Sequence, residues 1–401
     1  MRYILYMFAF CLLSIVAYAK NITFDEALSY GLINSTFVDK FEKERTEKFG
    51  FEFDDTKLEN PELEYEYNLK NNTNSLQLAQ SFRLSDITLS RKSYKKLLDK
   101  LVANEEKLDL LKLYHQISLI YYDLYIIQEK HKYEQQRLSF LNKVYKQIHN
   151  SMNQDSLLSA EIYAFDADKL SIEENIKQLS AEVKKSKLDF LQTLNLSDTS
   201  LVLSEPPTIK LSMSFDQLLK SIQHTPNYRD MLALRHNQAK EMLKILKQDR
   251  YFPKIQPKII YGQTDDNRKS EFGAGLTLSI PLWNKQDGQY SALKANEKYL
   301  QKEIETIDNI SFEEMLKNAY DRLETQISIF QKYHNKIVPM YRQSVQKIED
   351  SFINGQTTII DVWQIREKSY ETYEKYLFSL KNVLIAKIEL ETLIGSRLED
   401  L

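Results

Sequence analysis

Glu62, Glu64 and Glu66 stand at alternate positions, and Glu161 and Asp361 stand just past two breaks in long helical patterns. Alternate acids on an extended segment share one face, so the first three would present a row of carboxylates to water. Acids in the first turn of a helix lie where unpaired N–H groups favour negative charge. Such groups can select ions, but none has the neighbour that bond-making chemistry needs. The six histidines (His115, His131, His149, His224, His236, His334) show no ligand spacing and no nearby cysteines or acid clusters, which points to helix-surface roles. There is no nucleophile–base arrangement and no Gly-rich phosphate loop. No catalysis, no cofactor and no bound metal are therefore expected. Tyr121, Tyr122 and Tyr125 read as helix packing.

The elements that position these acids come in duplicate. Thr23-Phe24-Asp25-Glu26-Ala27-Leu28 returns as Ser214-Phe215-Asp216-Gln217-Leu218-Leu219, and Leu191-Gln192-Thr193-Leu194 as Leu390-Glu391-Thr392-Leu393, about 200 residues later. Each half runs helix start, two short strands, a very long helix, a break and another long helix. The expected organisation is a signal peptide over 1–19, a first repeat over 20–212 and a second over 213–401.

The first residues have the form of an export signal. Arg2 is a positive n-region, Ile4 to Val16 an apolar h-region, and Ala17-Tyr18-Ala19 a small-x-small site before Lys20. The rival is a retained anchor, but the apolar run falls short of the ~20 residues that a spanning helix needs. The single cysteine, Cys11, lies inside this segment, so the mature chain is expected to hold no disulfide or thiolate site. No later apolar run reaches spanning length.

Charged residues make up 28% of the chain, with eight glycines and eight prolines. That suits long solvated helices better than a Gly-rich nucleotide fold. Net charge is −3 with Lys and Glu intermixed, so no basic face points to nucleic acid. Few linkers and long periodic segments argue for one elongated body.

In the first half, a helix opened by Thr23 is expected to reach about Lys48 and to end at Gly50. Glu62 to Leu69 alternates strictly, with Leu63, Tyr65, Tyr67 and Leu69 opposite the glutamates. Strands are expected over 61–70 and 75–84, the second sharing Leu76, Leu78, Phe82 and Leu84 on one face, and helices over 85–150 and 157–194. In the second half, Ser214 opens a helix reaching about Arg250. Strands follow over 255–263 and 271–281, then helices over 285–351, with a kink or handover at Pro339, and 357–394. Each longest helix, about 65 residues, would measure about 100 Å.

Strands of about ten residues with one apolar face match tilted segments crossing a bilayer. A lone hairpin in water is marginal, and four strands cannot close a barrel whose smallest form needs about eight. The chain is expected to oligomerise: two copies give eight strands and three give twelve. The plain alternative is a soluble helical protein with a small sheet cap, which leaves the Tyr and Leu faces without a partner.

Three stretches then carry a resemblance. They are Asn60-Pro61-Glu62-Leu63 at a strand start, Ile280-Pro281-Leu282-Trp283-Asn284-Lys285-Gln286-Asp287-Gly288 at a strand end, and Phe352-Ile353-Asn354-Gly355 before Ile359-Ile360-Asp361-Val362. In order and spacing, over essentially the whole mature chain, they resemble the TolC-like outer membrane efflux proteins. The first two look most like the heavy-metal, CzcC-like branch. The resemblance implies a mainly α fold with a small β part. It implies a homotrimer with a twelve-stranded barrel in outer-membrane lipid, continued by a periplasmic α-helical barrel. It also implies partners: a periplasmic adaptor (membrane fusion protein) and an inner-membrane pump of RND type.

In such proteins the helix breaks form the periplasmic tips, closed by inward carboxylates and by hydrogen bonds between helices. Aligned by an offset of 200, the halves place Asp155 opposite Gly355 and Glu161 opposite Asp361. Asp361 matches a family gating aspartate and Glu161 an acid at the first tip, giving two rings of three charges in a trimer. Three positions depart from the pattern: Gln364 replaces a second aspartate, Thr357 a clamping arginine and Phe352 a tyrosine, so the closed state would be held differently. Asp361 and Glu161 also read simply as helix-start acids, and the two roles are compatible. Glu62, Glu64 and Glu66 would face the barrel lumen and make it cation-tolerant, or be plain solvated groups. The function implied is a passive exit duct for cargo such as metal cations or drugs. The alternative is a periplasmic coiled-coil adaptor or structural protein, disfavoured by two hairpin sets and only eight glycines.

Overall fold

The computed structural model describes residues 21–34, 36–68, 73–151, 157–197, 202–222, 227–264, 269–280, 282–283 and 287–401. The expected signal peptide and Cys11 lie outside them, as do Asp155 and residues 69–72 and 265–268. The first half contains β1 (Asn21–Ile22), α1 (Phe24–Asn34), α2 (Thr36–Asp55), β2 (Glu62–Asn68), β3 (Thr73–Ala79), α3 (Leu84–Ile87), α4 (Ser90–Ser151) and α5 (Leu157–Leu194). The second contains β4 (Val202–Leu203), α6 (Phe215–Ser221), α7 (Tyr228–Tyr251), β5 (Lys254–Thr264) and β6 (Lys269–Ser279). It closes with α8 (Asp287–Ile310), α9 (Phe312–Lys332), a π-helical turn (Tyr333–Ile337), α10 (Val338–Ile353) and α11 (Ile359–Ile394). The result is mostly helix with a small antiparallel sheet.

By internal packing the chain divides into two units. The first gathers residues up to Asp39, Leu110–Gln217 and Asn318–Glu391; the second gathers Lys40–Asp109, Leu218–Lys317 and Thr392–Leu401. Each draws on both halves of the sequence.

In the first unit the duplicated marks make duplicate contacts. Thr23 N–H donates to Glu26 Oε2 at 3.0 Å, and Glu26 N–H returns to Thr23 Oγ1 at 3.3 Å. Ser214 and Gln217 repeat this capping box at 2.9 and 3.4 Å. Phe24 then packs edge-on against Tyr121 at 5.3 Å, and Phe215 against Tyr320 at 5.6 Å. The Tyr121 hydroxyl lies between the carbonyls of Ser204 (2.8 Å) and Ile22 (3.0 Å), and Tyr320 donates to that of Met213 (3.0 Å); Ile22 and Met213 each stand two residues before the phenylalanine. Around these locks Ala27, Ile117, Tyr122, Phe190, Leu194 and Leu390 are buried. Gly31 lets α1 approach closely: a Cβ there would meet Ile117 Cδ1 at 2.2 Å. β1 and β4 pair in parallel, a contact too short to carry any sequence period.

The second unit has an apolar core of Phe49, Tyr94, Leu98, Leu101, Met231 and Ile245, and another of Leu232, Ala239, Leu300 and Ile307. Its sheet has the order β2-β3-β5-β6, antiparallel throughout. The register aligns Leu63, Leu78, Ile259 and Ala274 in one row, and Tyr65, Leu76, Tyr261 and Phe272 in the next. On the opposite face the flanking rows hold Glu62, Ala79, Lys258 and Gly275, and Glu66, Ser75, Gly262 and Glu271, and the row between holds Glu64, Gln77, Ile260 and Gly273. One face is thus apolar and the other polar.

Several expected boundaries need correction. The strand expected to reach 84 ends at Ala79; the Gln80 side chain donates to the carbonyl of Glu59 at 2.7 Å while its N–H still reaches the Pro257 carbonyl at 3.2 Å. Phe82 still bridges Ile255, but Arg83 N–H donates to Asp86 and starts a helical turn. The helix expected over 85–150 is broken at Leu89, whose φ is 59°. The helix expected over 285–351 has a further break, at Ser311 with φ 69°, and at the kink or handover expected at Pro339 a π turn precedes the proline. Pro339 has no N–H to offer, and the wider turn lets Val338 N–H reach the Tyr333 carbonyl. Helix α2 passes through Gly50 to Asp55 rather than stopping there. The helix expected from Ser214 to Arg250 is two, the second capped by Asn227 accepting from Asp230 N–H at 3.0 Å.

Candidate functional site

The connection between α10 and α11, in the first unit, is built from complementary helix ends. Gly355, at φ 71°, closes α10: its N–H donates to the Phe352 carbonyl at 2.9 Å, and Gln356 N–H to the Ser351 carbonyl at 2.8 Å. That is a Schellman close, and the left-handed residue it needs is the glycine. Thr358 then opens α11. Its N–H and hydroxyl donate to Asp361 Oδ2 at 3.1 and 2.6 Å, and Asp361 N–H returns to Thr358 Oγ1 at 3.3 Å.

Thr357, at the position where an arginine was expected, donates its hydroxyl to the same Oδ2 at 3.0 Å. The hydroxyl and N–H of Thr358, then the hydroxyl of Thr357, hold the Asp361 carboxyl below the usual carboxylate range. The helix-start role of Asp361 is therefore occupied, through one oxygen of the two. Gln364 is exposed one turn on and Phe352 is half-buried. Glu161 lies early in α5 with its side chain outside the described residues, and Asp155 lies outside them altogether.

Behind this connection α4 and α11 are joined by polar pairs that the sequence reading missed. Arg137 reaches Glu367 at 2.6 Å and lies over the rings of Trp363 and Tyr370. Arg366 Nε donates to Glu349 of α10 at 2.6 Å while its guanidinium covers the Phe140 ring. Burial pushes Glu367 above its ordinary range, with Arg137 opposing. Farther along, Tyr373 donates to Glu129 at 2.8 Å, and Lys381 meets Asp123 at 2.6 Å. His115 is not the surface residue expected: it is buried and 2.8 Å from Glu391, itself fully buried on the facing helix. The one available signal was Glu391 standing where the repeat has Gln192.

The second unit contributes the sheet. Its apolar face is open: Leu63 is 68% exposed, Ile259 63% and Phe272 79%. On the polar face Glu62, Glu64 and Glu66 are all exposed. Glu62 accepts from Gln256 at 2.7 Å, and Lys258 stands in its row. The face is thus mixed rather than purely acidic. Edge strands β2 and β6 each have one side without a partner among the described residues. No described helix is long and apolar enough to cross a membrane.

No protein-family model and no curated protein matches the sequence. Solved structures match in fold. The open-state MtrE outer membrane channel of Neisseria gonorrhoeae superposes with a TM-score of 0.67 at 12% identity, covering 93% of this chain and 89% of that one. The outer membrane protein VceC of Vibrio cholerae gives 0.65 at 12%, covering 93% and 96%. CusC, solved in connection with transmembrane channel formation, gives 0.62 at 13%, covering 96% of both chains. At such identities the likeness establishes the fold.

Proposed function

We propose that this chain is the exit duct of a tripartite efflux system in the outer membrane, of the TolC-like type. One observation carries the reading: a two-faced, four-stranded sheet whose Leu, Ile, Tyr and Phe face stays open, with both edges unpaired among the described residues. In water such a face would be an aggregation site; in lipid it is a barrel wall. Three copies would close twelve strands, above a helical barrel formed by the long helices. The full-length likeness to outer-membrane channels supports this arrangement over an adaptor with a single helical hairpin.

In this reading Asp361 and Glu161 ring the periplasmic entrance, with Asp155, Gly355, Thr357, Phe352 and Gln364 shaping the tips. Asp361 Oδ1, left free by the capping bonds, is the atom that would face the pore. Glu62, Glu64 and Glu66 line the lumen. An adaptor and an inner-membrane pump of RND type drive transport, and the duct itself is passive. The CzcC-like strand ends make metal cations the first cargo to test, with drugs second. Cell fractionation tests the placement: the protein should pellet with outer membrane and require detergent for release. Recovery in the periplasmic supernatant without detergent would defeat the proposal. Deleting the gene and scoring sensitivity to metal ions, bile salts and antibiotics would identify the cargo.

A further inference from the structure

At one end of the sheet β5 begins with Lys254 paired to Ser279, the last residue of β6. Helix α7 ends at Tyr251, just before β5, and α4 starts at the same level. Thr88 reaches Gln248 at 3.2 Å, Ser85 reaches Asp249 at 2.8 Å, and Arg91 meets Asp249 at 2.5 Å. A cavity of about 440 Å³ bordered by Arg91, Arg250, Lys254, Ser279 and Ile280 fixes the level of these helix ends against the strand ends.

The segments that meet here carry two kinds of exposed side chain. Lys92, Lys95 and Lys96 are exposed at i, i+3 and i+4 of α4, hence on one face, and Lys247 is exposed about one turn before the end of α7. None of the four has a hydrogen bond or ion pair among the described residues. The nearby acids are occupied: Asp287 by Arg250, Asp249 by Arg91 and Asp54 by Lys57. Asp99 follows a turn later, beside Lys100. The other kind is apolar and aromatic: Trp283 is 90% exposed, and Tyr251, Phe252, Ile280 and Leu282 are exposed with it.

Resting on the membrane reading above, we infer that Lys92, Lys95, Lys96 and Lys247, beside Phe252 and Trp283, form a collar for anionic phospholipid headgroups. Aromatic rings with one polar edge settle at the boundary between hydrocarbon and headgroups. Lysine stems extend past that boundary and leave their ammonium groups among the phosphates. At 1.5 Å per residue, Lys92 to Lys96 lie within about 10 Å of the start of α4, which matches the depth of a headgroup layer and the reach of unscreened charge. A zwitterionic headgroup offers no net charge to four unpaired ammonium groups. An anionic one does, so charge complementarity selects the occupant. The collar would set how deeply the sheet sits in the leaflet facing the helices.

The chain has two tryptophans. Trp363→Phe leaves Trp283 as the sole tryptophan, excited selectively over tyrosine, in the full-length protein reconstituted in bilayers containing brominated lipid. At equal mole fraction, brominated anionic lipid should quench Trp283 more than brominated phosphatidylcholine does. The relative association constant expected at low salt is about three- to tenfold. Lys92→Gln/Lys95→Gln/Lys96→Gln should bring the ratio to about one, as should high salt on the unaltered lysines. Equal quenching in the parent, or a preference that survives the triple replacement, overturns the collar alone. If neither lipid quenches Trp283, the sheet is outside the bilayer, and the duct falls with it.

Discussion

Ile259→Arg separates a membrane wall from a water-exposed sheet. Ile259 is the middle residue of the eleven in β5, and its row carries Leu63 and Leu78. It is already 63% exposed, so no protein core is disturbed by the change. Were the face in water, an arginine there would shift stability by within about 0.5 kcal/mol. Facing the middle of a bilayer, it costs about 2–4 kcal/mol, or about 30- to 1000-fold in the folded-to-unfolded ratio. Ser75→Arg is the control, on the polar face of β3 in the row of Glu66 and Glu271. It should be neutral or mildly favourable. The assay is urea titration of folding into phosphatidylcholine vesicles, followed by the heat-dependent gel shift of folded protein. Equal costs for the two arginines would refute the assignment of the apolar face to lipid.

Further outcomes follow from polar contacts. Glu105 is 8% exposed; burial pushes its carboxyl upward, but Arg235 and Lys48 outweigh this and hold it below the ordinary range. A lowered carboxyl stabilises the fold above its unfolded value of 4.5 and loses that contribution as pH falls through the folded value. Glu105→Gln should cost about 1–3 kcal/mol near neutrality, discounted for the exposed partners, and flatten the acid limb of an unfolding curve. Thr358→Ala should weaken the start of α11 by about 1 kcal/mol, read as faster hydrogen exchange at the Val362 amide. The Asp361 cap should likewise fail only as pH falls through its lowered value, below 3.8. Asp361→Ala should raise single-channel conductance and reduce cation selectivity; unchanged values in a lipid bilayer would remove Asp361 from the gate. Tyr121→Phe and Tyr320→Phe, which remove the hydroxyls that reach these backbone carbonyls, should each cost about 1–2 kcal/mol by equilibrium unfolding.

The hairpins were legible because the alternation of Leu63, Tyr65 and Tyr67 with three glutamates admits only one pleated reading. The capping boxes and the Gly355 turn were legible for a similar reason, since each is specified within a few adjacent residues. What escaped was fixed at a distance or against propensity. Leu89 and Ser311 adopt positive φ without being glycine, so nothing local marks the breaks they make. Gly50 looked like a stop, yet the helix runs through it because Phe49 is anchored in the core on one side. The pairs Arg137–Glu367 and His115–Glu391 join residues hundreds of positions apart, and sequence periodicity carries no information about which turn of one helix faces which turn of another.

The pooling of one sheet per chain into a common wall can be weighed directly. Native mass spectrometry of the protein, released from outer membranes in mild detergent, should give a particle of three chains that dissociates only on heating. A single-chain particle under those conditions would leave edge strands β2 and β6 without partners and contradict the duct.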